Sequence, residues 1–151
     1  MMIEIKNLSF SYGKKKQSVF NDFSLTLDKG SVYGLLGKNG TGKSTLLYLM
    51  TGLLRPQAGQ VLYKGVDVSM RYPLTLQDMF LVPEEFALPS VSLKRYLKLN
   101  TPFYPNFSNE LLNACLHDFD MNEDSHFGEL SMGQKKKLIM CYLLASNTSL
   151  L

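Results

Sequence analysis

The chain has 151 residues, 45% of them hydrophobic, and a formal net charge of +3 at pH 7. This length and apolar content suffice for one compact domain with a sizeable core, and the mild, dispersed charge gives no support for nucleic-acid binding. No apolar run approaches the roughly 18 residues of a membrane span, so we expect any work at a membrane to depend on a partner. Cys115 and Cys141 lie outside any CxxC or histidine pattern, which argues against a zinc site or a disulfide framework and favours a reduced, cytoplasmic setting.

The first part of the chain alternates in a way that predicts strands. Segment 2–12 alternates Ile3 and Ile5, and then Leu8, Phe10 and Tyr12, with polar residues, and segment 19–30 repeats the pattern with Phe23, Leu25 and Leu27. Such alternation is typical of antiparallel strands with one wet face. The apolar run SVYGLLG, at 31–37, predicts a strand covered on both faces. A helix is expected from Lys43 to a stop at Gly52, and segment 59–68 predicts a hairpin with its turn at Lys64-Gly65.

After residue 88 the pattern changes to short helical segments. Ser90 or Ser92 can cap a helix that reaches residue 100, and Ser108 can cap a helix over 109–119. A last helix is expected from Leu130, followed by a turn at Asn147-Thr148 into an apolar SLL. An apolar run that begins as a buried strand should continue for several residues, so residue 151 is not expected to be a natural domain boundary.

A glycine-rich loop joins the predicted strand at 31–37 to the helix at Lys43. Its sequence, GKNGTGKS, matches G-x-x-x-x-G-K-[ST], in which glycines let backbone N–H groups turn inward around a phosphate. The lysine would reach the β- and γ-phosphates, the serine hydroxyl would bind Mg²⁺, and the next threonine would add a hydroxyl and an N–H at the positive end of the helix dipole. The residues predicted to hold the nucleotide are Gly37, Lys38, Asn39, Gly40, Thr41, Gly42, Lys43, Ser44 and Thr45.

This loop alone does not distinguish kinases, GTPases and transport ATPases. A second segment, GELSMGQKKK, places Ser131, Gly133 and Gln134 at the start of the last helix. The two motifs in this order resemble the ATP-binding cassette (ABC) family, whose signature is Leu-Ser-Gly-Gly-Gln followed by basic residues. The resemblance implies an α/β fold, a P-loop NTPase (RecA-like) core with an N-terminal antiparallel β region and a small helical subdomain. It places the nucleotide-binding core at 1–88, the helical subdomain at 89–129 and the returning signature helix at 130–151.

In this family two cassettes meet head to tail. The resemblance therefore implies a homodimer or heterodimer in which Ser131, Gly133 and Gln134 of one subunit close over the ATP held by Lys43 of the other. A serine hydroxyl and a glycine N–H at a helix N-terminus suit a γ-phosphate, whereas an ordinary Ser-capped helix is the structural alternative. Met132 departs from the family's usual glycine, and the sequence does not show whether its side chain crowds the phosphate or points aside.

Two further positions are assigned by the resemblance. Tyr12 stands where the family stacks an aromatic ring on adenine, with packing on a neighbouring residue as the alternative. Glu84 aligns with the glutamine of the family's Gln loop and could hold Mg²⁺ through its carboxylate, with Glu85 in that place if the register shifts by one. A solvated acidic loop is the remaining interpretation of both glutamates.

The resemblance implies that an aspartate, a catalytic glutamate and a histidine follow the signature helix, beyond Leu151. We therefore expect the 151 residues to be the C-terminally incomplete N-terminal part of a longer ATPase, and to hydrolyse ATP poorly or not at all by themselves. The implied function is that of an ATP-binding subunit that lies at the inner face of the membrane and drives solute transport by a separate membrane subunit. Alternatives are a soluble, ribosome-associated ABC ATPase and a P-loop protein outside the family, such as a kinase or GTPase, which would leave LSMGQKKK unexplained.

Overall fold

A computed structural model of the protein describes residues 2–13 and 18–150. The chain divides into two compact units, Met1–Leu76 and Gln77–Leu151. The first unit contains the glycine-rich loop and the second contains the signature segment. The functional division expected at residue 88 stays a prediction.

The first unit is built on a four-stranded antiparallel sheet with the order β2-β1-β3-β4. Its strands are β1 (Ile3–Phe10), β2 (Phe20–Leu27), β3 (Ala58–Tyr63) and β4 (Val66–Asp67). The alternation in β1 buries Ile3, Ile5, Leu8 and Phe10. The pairs Ile3/Ile5 and Leu8/Phe10 each alternate, and the register shifts between them, where Asn7 has a φ of 48°. The antiparallel pairing of β1 with β2 and β3 confirms the predicted strands.

The hairpin and the first helix also form where the sequence predicts them. Lys64 and Gly65 connect β3 to β4 with φ of 48° and 82°. Two successive residues with positive φ make the turn whose twist matches the flanking strands. The helix α1 (Lys43–Met50) buries Leu46, Leu49 and Met50, and the chain leaves it through a glycine at position 52 with φ of +68°.

The strand predicted at 31–37 is wrong. In the structure this segment is irregular and exposed along its whole length, and the side chains of Val32 and Leu36 are almost completely accessible. A strand needs neighbouring backbone to accept and donate its ladder hydrogen bonds. No described residue forms a backbone ladder with this segment, so apolar composition alone does not make it a strand.

The second unit is mainly helical. Its helices are α3 (Leu93–Asn100), α4 (Asn109–Asp118) and α5 (Met132–Ser146), while a four-residue α2 (Pro73–Leu76) closes the first unit. Ser92, rather than Ser90, caps α3 by accepting a hydrogen bond from Arg95 N at 3.3 Å, and Ser108 caps α4. The core between these helices is formed by Leu93, Leu112, Leu116, Phe127, Leu138, Cys141 and Ala145.

Parallel pairing begins at the end of the second unit. Met79 and Leu150 form an isolated parallel bridge, in which Phe80 N donates to Leu150 O at 2.8 Å. Leu150 N in turn donates to Asp78 O at 3.2 Å. The turn predicted before this point is present, with Asn147 in a left-handed conformation at the end of α5. Leu151, the last residue of the predicted SLL segment, lies outside the described residues. Among the helices described, none combines the length and the apolar character needed to cross a membrane.

Candidate nucleotide site

The glycine-rich loop is folded around the ammonium group of Lys43. Lys43 Nζ donates hydrogen bonds to Gly37 O at 2.8 Å and to Lys38 O at 2.9 Å. Lys38 O also accepts from the Thr41 hydroxyl at 2.8 Å, which closes the turn through Asn39 and Gly40. These contacts place one fixed positive charge on the inner side of the loop, where an anion can meet it.

Gly42 connects the loop to α1 in a conformation that favours glycine. Its φ is +98°, and a Cβ built there would lie 2.6 Å from Val19 Cγ1 and 3.2 Å from Phe20 Cζ. Without a side chain, Gly42 fits between the first helical turn and the start of β2. The first hydrogen bond of α1 runs from Leu46 N to Gly42 O, so the amides of residues 43–45 precede the helical ladder. Such amides and the helix dipole attract phosphate oxygens.

Tyr12 lies beside the first turn of α1. Its hydroxyl is 2.8 Å from Thr45 Oγ1, and its ring packs edge to face on Phe10 with a centroid distance of 5.1 Å. Tyr12 as a whole is 55% exposed, so part of its surface remains open to a ligand. The structure thus brings Tyr12 and Thr45 together, and the stacking of adenine on Tyr12 stays a prediction.

Ser44 is the exposed second residue of α1. Magnesium bound to a nucleotide needs few protein ligands, because phosphate oxygens and water supply the rest. The described residues contain no group of three or more His, Cys, Asp or Glu side chains that could hold a metal ion by themselves. A single hydroxyl at this position fits a Mg²⁺ ion that arrives with the nucleotide, so the role of Ser44 stays a prediction.

The signature segment forms the N-terminus of α5 through a capping box. Ser131 Oγ accepts from Gln134 N at 3.3 Å, and Gln134 Oε1 accepts from Ser131 N at 2.9 Å. The predicted serine cap is therefore present, and the serine hydroxyl keeps its own proton for donation to a phosphate. Gly133 lies in the exposed first turn, where a Cβ would have only Ser131 Oγ within reach at 4.0 Å. Contact of these residues with a nucleotide stays a prediction.

Glu84 and Glu85 are both exposed and line an open groove of about 600 Å³ within the second unit. Phe86, Ala87, Met132 and Lys136 complete the lining. Met132 is therefore part of the same groove as Glu84. The described residues form no group of three or more His, Cys, Asp or Glu side chains around Glu84, so its assignment to Mg²⁺ stays a prediction.

Two supporting contacts are missed by the sequence motifs. Val19 and Phe20 fill the space beside Gly42, and the side chain of Gln57 forms hydrogen bonds with Ser11, which precedes Tyr12. All three residues are distant in sequence from the residue that they contact. No local motif signals such contacts, although the glycine before Lys43 indicates that some group approaches closely there.

The family model described as "ABC transporter" matches residues 20–151. The chain belongs to the ABC transporter family. This membership confirms the predicted family and removes the kinase and GTPase alternatives. It also explains why a Gly-Lys-Ser loop and an LSMGQ segment occur in one chain.

Known ABC proteins that are similar to this chain are longer than the part of them that it matches. The chain is 30% identical over 151 residues to the ABC transporter ATP-binding protein YtrB of Bacillus subtilis, covering 99% of this chain and 51% of YtrB. It is 32% identical over 158 residues to the putrescine transport ATP-binding protein PotG of Escherichia coli, covering 99% of this chain and 41% of PotG. The chain thus spans about half the length of the curated relatives that it matches.

The fold agrees with that of solved ABC proteins. A structure of the ATP-binding subunit of an ABC transporter superposes with a TM-score of 0.83 at 26% identity, covering 100% of this chain and 69% of that one. This likeness confirms the α/β P-loop fold class predicted from the two motifs.

Proposed function

We propose that this chain binds ATP with Mg²⁺ and forms the nucleotide-binding part of an ABC transporter ATPase subunit. The observation that carries the proposal is the position of the Lys43 ammonium, which two loop carbonyls hold at the N-terminus of α1. A cation, the amides of residues 43–45 that precede the helical ladder, and a helix dipole at one place form a site for a chain of phosphates. Family membership supplies the class of ligand.

Each residue of the site has a distinct task in this proposal. Lys43 offsets the charge of the β- and γ-phosphates, and the amides of the loop and of the first turn of α1 bind their oxygens. Ser44 donates one oxygen ligand to Mg²⁺, and Thr45 binds the phosphate nearest the ribose. Tyr12 offers its exposed ring to the adenine, a contact that requires only a flat π face.

The partners follow from the family. A second ABC subunit places its Ser131, Gly133 and Gln134 on the ATP bound by the first, in a homodimer or a heterodimer. A separate membrane subunit carries the solute, so the protein works at the inner face of the membrane. Glu84 takes the place of the Gln loop and links the state of the nucleotide to that subunit. The names of relatives support this assignment, since PotG is a transport ATP-binding protein.

Hydrolysis needs more than a phosphate cradle. In-line attack on the γ-phosphate requires an oriented water as well as compensation of charge. The hydrogen bonds that hold the Lys43 ammonium account for compensation of charge, so ATP binding is the part of the activity that this site supports. Mg²⁺-dependent phosphate release that Lys43→Ala abolishes would show that the chain also orients the water.

The nucleotide site is tested by two lysines of the same loop. Lys43→Ala removes the ammonium at the centre of the loop, whereas Lys38→Ala removes an equal charge and leaves the backbone carbonyl that binds Lys43. A hydrogen bond to a charged group is worth about 1.5–3 kcal/mol, so we expect Lys43→Ala to weaken ATP binding roughly ten- to hundredfold. Lys38→Ala should change it by less than about threefold.

The measurement is an equilibrium titration of each variant with ATP and Mg²⁺, followed by calorimetry or by a fluorescent ATP analogue. Thermal unfolding of the variants without nucleotide shows whether the loop substitutions disturb the fold. Equal affinity of the parent chain and Lys43→Ala would overturn the proposed site. Equal losses in the two variants would show that only the net charge of the loop matters.

A further inference from the structure

The ladder between β1 and β3 ends in an unusual way. Its last pair is Ser9 opposite Ala58, and the same register places Pro56 opposite Ser11. Proline has no N–H to donate, so backbone pairing cannot continue at that position. Gln57 N still donates to Ser9 O at 2.9 Å, which anchors the residue beside the end of the ladder.

Where backbone pairing ends, the side chain of Gln57 forms hydrogen bonds with the backbone of Ser11. Its Oε1 accepts from Ser11 N at 2.8 Å, and its Nε2 donates to Ser11 O at 3.0 Å. The same Nε2 lies 2.9 Å from Ser11 Oγ. A primary amide carries one acceptor and two donors, so it imitates a peptide group and binds both polar backbone groups of Ser11.

This clamp lies directly before Tyr12. The Tyr12 ring has two other supports, an edge-to-face contact with Phe10 and a hydrogen bond between its hydroxyl and that of Thr45. Both supports act on the side chain. Only the amide of Gln57 holds the backbone immediately before the ring through side-chain hydrogen bonds among the described residues.

We propose that Gln57 is a positioning residue for the base of the bound nucleotide. By fixing the backbone of Ser11, it holds the Tyr12 ring in the place where adenine stacks, and so lowers the conformational entropy lost on binding. The inference rests on the proposed function, in which Tyr12 contacts the base and the glycine-rich loop contacts the phosphates. Gln57 touches neither part of the ATP.

The test compares ATP with inorganic tripolyphosphate, which presents phosphates and no base. Gln57→Met keeps the length of the side chain and removes its hydrogen bonds, while Gln57→Glu keeps an acceptor for Ser11 N and removes the donor. Loss of two exposed hydrogen bonds should weaken ATP binding by Gln57→Met about three- to tenfold. Tripolyphosphate binding should stay unchanged, and Gln57→Glu should lie between the parent chain and Gln57→Met for ATP.

A double-mutant cycle with Tyr12→Ala separates positioning from general support. If Gln57 acts through the ring, Gln57→Met adds no further loss of ATP affinity once Tyr12 is alanine. Equal weakening of ATP and tripolyphosphate, or additive losses in the double variant, would overturn the inference. Thermal unfolding of each variant identifies a preparation that is not folded, and the ratio of the two affinities is then read from Gln57→Glu.

The two proposals fail in different ways. If the parent chain binds neither ATP nor tripolyphosphate, or if Lys43→Ala binds both as well as the parent does, the nucleotide site itself is wrong. If the phosphate ligand binds and depends on Lys43 while Gln57→Met leaves ATP affinity unchanged, only the positioning role is wrong. A parent chain that binds tripolyphosphate as tightly as ATP would likewise overturn the role of Gln57.

Discussion

Gly42 shows how one residue can limit the shape of the phosphate loop. Its positive φ costs an L-amino acid about 1 kcal/mol, and its missing side chain leaves room for Val19 and Phe20. Gly40 has a similar φ of +82°, yet a Cβ there meets no atom of the described residues within 4 Å. The pair therefore separates backbone strain from steric conflict.

We predict that Gly42→Ala destabilises the chain more than Gly40→Ala does. Both substitutions carry the strain of a positive φ, and Gly42→Ala adds overpacking against Val19, for which about 1–3 kcal/mol is typical. Urea unfolding gives the difference in the free energy of unfolding, and an ATP titration shows whether the loop still binds. Equal losses of stability in the two variants would mean that Val19 moves aside without cost.

Tyr142 is a second residue with an unusual environment, because of its hydroxyl group. It is buried and has no hydrogen-bond partner among the described residues. Four aromatic rings surround the Tyr142 ring, with distances of 5.3–5.9 Å between ring centroids. They belong to Phe80, Tyr96, Tyr104 and Phe107. Tyr142→Phe removes the unsatisfied group and keeps the ring, so we expect the free energy of unfolding to stay equal or to rise by about 1 kcal/mol. A loss above that size, measured in urea, would reveal a partner for the hydroxyl.

The same residue predicts the direction of a pH effect. Burial raises the pKa of Tyr142 above its ordinary value of 10.0, because the folded environment disfavours the phenolate. The folded state then keeps its proton where the unfolded state loses it, so this stabilisation is full below about pH 10 and is lost as the pH rises through the folded pKa. We expect the free energy of unfolding to fall less steeply in Tyr142→Phe than in the parent above this pH.

The free energy of unfolding of Tyr142→Phe will still fall to some extent as the pH rises. Burial also raises the pKa of Tyr96 and Tyr104, and it raises the pKa of the Cys141 thiol to about 11. Urea unfolding at several pH values between about 8 and 11 measures the difference between the variant and the parent. Identical slopes would show that Tyr142 ionises in the folded state as readily as in the unfolded one.

At the scale of elements, the signature segment is a helix start as well as a proposed contact with ATP. We predict that Ser131→Ala lowers the free energy of unfolding by about 0.5–2 kcal/mol, because α5 loses the acceptor for Gln134 N. Ser108→Ala, which removes the corresponding cap of α4, should cost a similar amount. Ser131→Asp keeps the cap and should retain stability, while its charge repels a phosphate. Urea unfolding that shows Ser131→Ala to be harmless would remove the structural role of this serine.

Elements that depend on local sequence are predicted well. The Lys64-Gly65 turn and the serine that caps α4 follow from residues next to them in the chain. The segment 31–37 depends instead on a distant strand for its hydrogen bonds, so its composition is not sufficient. The choice of Ser92 over Ser90 is similar, since it depends on where the first turn of α3 begins.

At the scale of the whole molecule, the candidate site also has one part that depends on neighbouring residues in the sequence and one part that depends on distant residues. The phosphate loop lies on consecutive residues, and its motif predicts contact of Lys43 with phosphates, which stays a prediction. The structure adds what the motif does not specify, the hydrogen bonds of the Lys43 ammonium to Gly37 O and Lys38 O. The hydrogen bonds of Gln57 with Ser11 join residues that the fold brings together at the end of a sheet. No residue spacing in the sequence predicts this contact. Motifs therefore predict the chemistry of the phosphate site, whereas the supports of Tyr12 require the tertiary structure.

The exposed segment 31–36 leads to a prediction about association. An irregular stretch with accessible apolar side chains and backbone groups outside a ladder can pair with another chain. We expect concentration-dependent self-association of the 151-residue chain, and Val32→Lys should reduce it because a lysine opposes pairing at an edge. The side chain of Val32 is fully exposed, so the free energy of unfolding should change by less than about 0.5 kcal/mol.

Leu74→Lys is the matched control for this prediction. Leu74 is also highly exposed, but it lies on α2, which is distant from segment 31–36 in the sequence. Sedimentation velocity over a range of concentrations measures association of the parent chain and of the two variants, which have the same net charge as each other. If the added charge acts only by general repulsion, the two lysines will reduce association equally, whereas pairing through 31–36 requires that only Val32→Lys does so.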